Sequence, residues 1–391
     1  MSIPEALAQG WPPLIILALL LGAIELILRK TEWLASFESP LVGRLASVDG
    51  LRAILAYGVV VCHVGTFYYM TQGAAWGPHP NPYFRQAGAA SVRLFFMITG
   101  YLYWSKAIGG GGRLAPWRLY RNRLLRIMPL YALLIATLVV IALFASSFRL
   151  LEPPQRIAQE LFGLIVPGFQ TEGLINRFDY TEYMRQTWTL KWEIVFYALL
   201  PLIAAGARSL LTFAGLAFGL VLTTVIGHRF FAWFPDLSIT VNFLVGMFAA
   251  HLKTARPQWK AAGTARVSAT VLTIALIAPL VTDRVSIYLG NLLYAGLFLA
   301  VLYGNDLFGL LSLRSSKLLG EISYSVYLLH MLVLVPFMIL LYRSMQPARL
   351  SHEEFWLLAA PAVATIVLLS FVTFRCVERL GIAKSHRPSV T

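Results

Sequence analysis

Charge is scarce in this sequence. Only 13% of its 391 residues are charged, against roughly 25% in an average soluble domain. With 58% hydrophobic residues and a mean hydropathy of +0.70, that scarcity excludes a water-soluble enzyme, a disordered chain and a secreted disulfide scaffold. A soluble fold of this length cannot hide so much apolar side chain, so most of it faces lipid or other membrane helices. Cysteine is rarer still: Cys62 and Cys376 both sit in apolar runs, with no spacing that suggests a disulfide or a zinc site. Acidic residues are outnumbered 18 to 32 by Lys and Arg, and no metal-ligating cluster is expected.

What the chain does have is apolar runs of membrane-spanning length. About eleven are expected, near residues 11–28, 50–69, 91–106, 129–147, 188–205, 209–227, 238–252, 266–282, 285–303, 321–343 and 355–376. The fold class that follows is an all-α, polytopic integral membrane bundle. The first run reads as an anchor helix rather than a cleaved signal peptide, because Arg29-Lys30 follow it and no basic stretch precedes it. Alternating the loops from a basic 106–126 segment puts 21 Lys or Arg on one side and 10 on the other. By the positive-inside rule, the N terminus is then outside and the C terminus cytoplasmic, and much of the net +14 is topology. The longest external connection, about 148–187, is of a length that normally does something or is disordered.

Ionisable groups inside spans are the sharpest functional signal, because each costs several kcal/mol in hydrocarbon unless paired or facing a cavity. Arg52, His63, Glu193 and His330 stand out. Arg52 and His63 are eleven residues apart, which on a helix returns to within ~20° of one face and separates them by ~16 Å along it. Asp49 is expected to N-cap that helix and to pair with Arg52. A neutral imidazole can accept a hydroxyl proton and return it, as acyl transfer requires; a packing histidine is the competing reading. Glu193, a few residues into its span, falls at a depth where it can meet His63, fixing its tautomer as a triad carboxylate does. The alternative is a buried carboxylate neutralising Lys191 or an arginine. His330, flanked by Ser and Tyr, fits a hydrogen-bonded structural histidine as well as a substrate contact.

Arg121, Arg123 and Arg126 form a basic collar at the mouth of a span. Lipid headgroups and the positive-inside bias compete for it, but arginine rather than lysine suits bidentate phosphate recognition. The Gly109–Gly112 run lacks the Lys-Ser/Thr of a Walker loop. A phosphorylated carrier such as coenzyme A fits better than nucleotide hydrolysis.

Five separated motifs resemble membrane-bound acyltransferase family 3, whose bacterial members acylate hydroxyls of sugars and other acceptors. They are Ser47-Val48-Asp49-Gly50-Leu51-Arg52 with His63, Phe95-Phe96-Met97-Ile98-Thr99-Gly100, Arg121-Asn122-Arg123, Trp188-Thr189-Leu190-Lys191-Trp192-Glu193 with Phe196-Tyr197, and Gly320-Glu321-Ile322-Ser323-Tyr324-Ser325 through His330. Each is weak alone; together, in order, they cover roughly residues 45–380. Lys191-Trp192 departs from the small residues often seen before the family's Glu.

The resemblance implies ten core helices, leaving 11–28 as an additional one. The domains are then 1–44 (N-terminal helix and linker), 45–380 (acyltransferase domain) and 381–391 (cytoplasmic tail). It further implies an acyl-CoA donor, acetyl-CoA first, arriving from the cytoplasm of a bacterial inner membrane protein. His63 becomes the catalytic histidine and Arg52, Arg121 and Arg123 the donor site; the reading of the residues themselves adds Glu193 beside His63 and Arg126 to the donor arginines. Trp188, Lys191, Tyr197 and His330 are candidates for substrate binding. The acceptor is a glycan, glycolipid or other hydroxyl, with membrane lipids around the chain and no nucleic acid. Two further classes remain open at this stage. One is a transporter or acyl-group channel using His63 and Glu193 as a proton relay; the other is a catalytically silent scaffold for polysaccharide assembly.

Overall fold

The computed structural model describes residues 3–30, 45–77, 80–230, 237–259, 264–346 and 349–385. The linker part of 1–44 and the last residues of the 381–391 tail lie outside them. The described chain is almost wholly helical. The helices are α1 (Ile3–Ala8), α2 (Trp11–Lys30), α3 (Ala46–Thr71), α4 (Pro82–Gly109), α5 (Pro116–Ala145), α6 (Pro154–Gly163), α7 (Thr181–Met184) and α8 (Trp188–Ile203). There follow α9 (Leu210–Phe230), α10 (Leu237–Ala255), α11 (Ala265–Arg284), α12 (Ile287–Leu302), α13 (Arg314–Glu321), α14 (Ser323–Ser344) and α15 (His352–Thr373). A π-helical turn, Phe374–Glu378, leads into α16 (Arg379–Ser385). Among the described residues, one hairpin joins β1 (Leu174–Ile175) to β2 (Phe178–Asp179).

Each expected apolar run coincides with a helix. Among the described residues, nine helical stretches are long and apolar enough to cross a membrane. Of the other two runs, α4 carries Arg85, Arg93 and Lys106, and α12 has 16 residues. The chain is therefore an all-α, multi-pass membrane protein. Large apolar side chains such as Leu211, Leu202 and Leu357 are more than 70% exposed, as a hydrocarbon solvent permits and water would not. Helix starts follow local chemistry. Asn81 accepts a hydrogen bond from the Tyr83 amide with Pro82 in the first turn, and Ser286 accepts one from the Tyr288 amide.

By its internal contacts the chain divides into two compact units. The first comprises residues 1–113, 203–323 and 344–364. Its core gathers Val48, Leu51 and Leu55 of α3, Leu94, Met97 and Ile98 of α4, and Phe298 and Val301 of α12. The Phe95–Gly100 motif packs α4 on α10 backbone to backbone: a Cβ on Gly100 would lie 2.4 Å from the Phe243 carbonyl oxygen. Helix α2 belongs to this unit. The Tyr57 hydroxyl donates to the Pro13 carbonyl at 2.6 Å, and Glu25 accepts from the Ser315 amide at the start of α13.

The second unit comprises residues 114–202, 324–343 and 365–391. Leu130, Tyr131, Leu134 and Leu138 of α5 are its fully buried stripe. The long 148–187 connection is ordered around Asn176, whose Oδ1 accepts from the Leu151 amide at 2.7 Å and whose Nδ2 donates to the Arg149 carbonyl. Asn176 and Arg177 both have positive φ, as a two-residue hairpin loop of the primed type needs. Tyr180 is buried beneath this loop and donates to the Glu172 carbonyl. Burial pushes its phenol pKa up, against the lowering effect of the bond from Gln170.

Candidate active site

Helix α3 runs unbroken from Ala46 to Thr71, so Arg52 and His63 keep their shared face and their separation of ~16 Å. The helix begins four residues earlier than an Asp49 cap requires. Leu45 occupies the cap position without a side-chain bond, and Asp49 lies in the first turn. That corrects the capping expectation: the carboxylate meets the positive end of the helix dipole instead. The pairing expectation is met, with the Asp49 carboxylate 3.7 Å from the Arg52 guanidinium. Arg52 also donates to the Ser323 hydroxyl at 3.0 Å.

The start of α3 is set by two glycines. A Cβ on Gly50 would lie 2.0 Å from the Leu311 carbonyl oxygen, and one on Gly320 would lie 1.9 Å from that of Asp49. Only glycine lets these backbones touch, and the touch puts Arg52 within reach of Ser323. The Asp-Gly-Leu-Arg and Gly-Glu-Ile-Ser motifs are thus two sides of one contact.

His63 is half-buried, and its ring stacks on Trp76 with centroids 5.6 Å apart and planes 27° from parallel. Phe67, one turn along α3, meets the same indole edge-on. Trp76 stands on the short connection after α3 and has no precedent in the sequence reading. The available signal was a lone tryptophan only thirteen residues past the histidine, where the chain must turn back.

In the second unit, Glu193 accepts a short hydrogen bond from the Tyr197 hydroxyl, one helical turn on. The Arg123 guanidinium lies 5.5 Å from the centroid of the Tyr197 ring. Arg123, Tyr197 and Glu193 therefore form one cluster between α5 and α8. Lys191 takes a different path: its ammonium lies 4.6 Å from the Trp192 ring centroid and 5.6 Å from that of Phe169. The Lys191 ammonium is accommodated by aromatic faces. Trp188, at the start of α8, is 43% exposed.

Arg126 lies 3.7 Å from the fully buried carboxylate of Glu378. Arg121 is half-buried on the same stretch of α5. His330 is fully buried, and its Nδ1 is 2.8 Å from the Tyr327 carbonyl of its own helix. Beside it, the Tyr327 hydroxyl is 2.6 Å from that of Thr189 and donates to the Gln186 carbonyl. Glu378 escaped the sequence reading because the last apolar run was ended at residue 376. An acid directly after such a run, beside Arg379, was the signal available.

A family model described as an acyltransferase domain matches residues 45–375. The exopolysaccharide production protein ExoZ of Rhizobium meliloti is 28% identical over 271 residues, covering 62% of this chain and 75% of that protein. The acyltransferase MdmB of Streptomyces mycarofaciens is 25% identical over 373 residues, covering 85% and 88%. No solved structure matches.

Proposed function

This chain belongs to the acyltransferase family and is a multi-pass membrane acyltransferase, and from that premise we propose that it moves an acetyl group from acetyl-CoA to a hydroxyl of a glycan or glycolipid. One observation carries the proposal: a single continuous helix presents Arg52 and His63 on one face inside the matched family region.

His63 acts as general base. Its neutral ring nitrogen takes the proton of the acceptor hydroxyl as that oxygen attacks the thioester carbonyl. The carbon–sulfur bond then breaks, and the imidazolium returns its proton to the departing thiolate. Trp76 covers one face of the ring and restricts its rotation. Glu193, which accepts a hydrogen bond from Tyr197 within the second unit, is the carboxylate candidate for the reaction. Arg121 and Arg123 of the second unit bind the phosphates of the donor, with Arg126 on the same stretch of helix, and clustered guanidinium groups supply the bidentate donors this needs; Arg52, on the helix of His63, is a candidate for the same role. Trp188 and Lys191 contact the acceptor, since aromatic faces and an ammonium suit a hydroxylated ring.

The excess of Lys and Arg on one set of loops supports an inner-membrane protein with its N terminus outside and its donor arriving from the cytoplasm. The printed role of ExoZ, exopolysaccharide production, supports a surface glycan as acceptor. The test is thiol release from acetyl-CoA by purified protein in detergent, with and without a hydroxyl acceptor. An enzyme makes thiol and ester in solution; a transporter needs a sealed compartment and makes neither.

A further inference from the structure

Glu378 has no place in the chemistry above, yet it is the most deeply buried carboxylate in the second unit. It is 0% exposed and closes the π-helical turn Phe374–Glu378. A buried charge in a membrane segment is costly unless it is paired and hydrogen-bonded, and π turns recur at functional positions. Here the carboxylate accepts from the Ser325 hydroxyl of α14 and pairs with Arg126 of α5 at 3.7 Å. The Arg126 guanidinium also lies 5.9 Å from the centroid of the Phe374 ring, at the other end of the same turn.

Two more contacts grip the same short stretch of α5. The Tyr324 hydroxyl, adjacent in sequence to Ser325, donates to the Ile127 carbonyl at 3.0 Å. Pro129 lies inside α5 and has no N–H, so the Leu125 carbonyl lacks its usual helical donor four residues on. Helix α16 closes on that carbonyl: a Cβ at Gly381 would lie 2.1 Å from the Leu125 oxygen and 3.4 Å from the Pro129 ring. Residues 125–127 are therefore held from α14, from the π turn and from α16. Arg123 and Arg121 lie two and four residues before them.

We propose that Glu378 is a positioning residue for the donor site, fixing the rotation of α5 through Arg126 so that Arg123 stays over Tyr197 and faces the donor phosphates. The inference rests on the reading in which Arg121 and Arg123 bind acyl-CoA. A helix turns ~100° per residue, so a small rotation at Arg126 re-aims a guanidinium three residues earlier. The proline has removed one of the bonds that would resist such a rotation, and the Glu378–Arg126 pair replaces it.

The test is steady-state kinetics of purified Glu378→Gln, with acetyl-CoA varied at saturating acceptor. Gln keeps the size and can still bond Ser325, but carries no charge for Arg126. The expected result is a KM for acetyl-CoA raised roughly tenfold, with kcat within about threefold of wild type and an unchanged elution profile. In the double variant with Arg126→Gln, the donor KM should be no worse than for Arg126→Gln alone, because the two side chains act as one pair. Glu378→Asp, which keeps the charge but withdraws it, shifts the donor KM in the same direction and serves if the Gln variant does not fold. A folded variant with wild-type donor KM, or a loss confined to protein stability and kcat, overturns the positioning role alone. Failure of wild-type protein to consume acetyl-CoA overturns the donor reading on which it rests.

Discussion

The imidazole of His63 and the indole of Trp76 lie face to face, 5.6 Å between centroids. One face of the ring is therefore closed by an aromatic plane and the rotation of the side chain is limited. Aromatic pairs of this kind are worth about 0.5–1.5 kcal/mol beyond area burial. Trp76→Ala should lower kcat/KM by about threefold to tenfold with the protein level unchanged, and Trp76→Phe should recover most of it. Initial rates of thiol release from acetyl-CoA measure both.

Arg123 separates charge from geometry. Its guanidinium packs over Tyr197, and a lysine there keeps the charge while losing the planar fork. A hydrogen bond to a charged group contributes roughly 1.5–3 kcal/mol. Arg123→Ala should therefore raise the acetyl-CoA KM by tenfold or more, and Arg123→Lys by less. A titration of donor at fixed acceptor reads the difference.

The contact between the first turn of α3 and α13 leaves no room for a methyl group at Gly320, where the Asp49 carbonyl oxygen would be 1.9 Å away. Overpacking of this kind costs about 1–3 kcal/mol or more. Gly320→Ala should lower the melting temperature of detergent-solubilised protein and separate Arg52 from Ser323. Fluorescence-detected size exclusion after a heating series measures the first effect. Gly50→Ala, which meets the Leu311 carbonyl, should act alike.

Asn176 holds the 148–187 connection together while adopting positive φ. Asn176→Ala removes its three side-chain bonds and places a Cβ-bearing residue of lower tolerance in the left-handed region, at a cost of about 1–3 kcal/mol. Limited proteolysis should cut this connection faster in the variant than in wild type, leaving the transmembrane helices intact.

The helices were legible because hydrocarbon demands long apolar runs, and that demand is written residue by residue. Their ends were less so. Helix α4 starts at Pro82 rather than near 91, because Asn81 and Pro82 supply a cap that a hydropathy window passes over. Helix α5 starts at Pro116, so Arg121, Arg123 and Arg126 sit on its first turns and not in a loop before it. Arg52 and His63 could be placed on one face from spacing alone, since a continuous helix fixes both angle and rise. Trp76 and Glu378 could not: the first depends on how a short connection folds back. The second depends on a π turn, which has no periodic signature in sequence.

The central claim is that His63 carries the proton in acyl transfer from acetyl-CoA to a hydroxyl. It is tested most directly by thiol release from acetyl-CoA by purified His63→Gln protein, compared with wild type at saturating donor and acceptor. General-base catalysis contributes about 10²–10⁴-fold. The account predicts a fall of at least about a hundredfold in a variant that elutes as wild type does; near-normal turnover by that folded variant would contradict it.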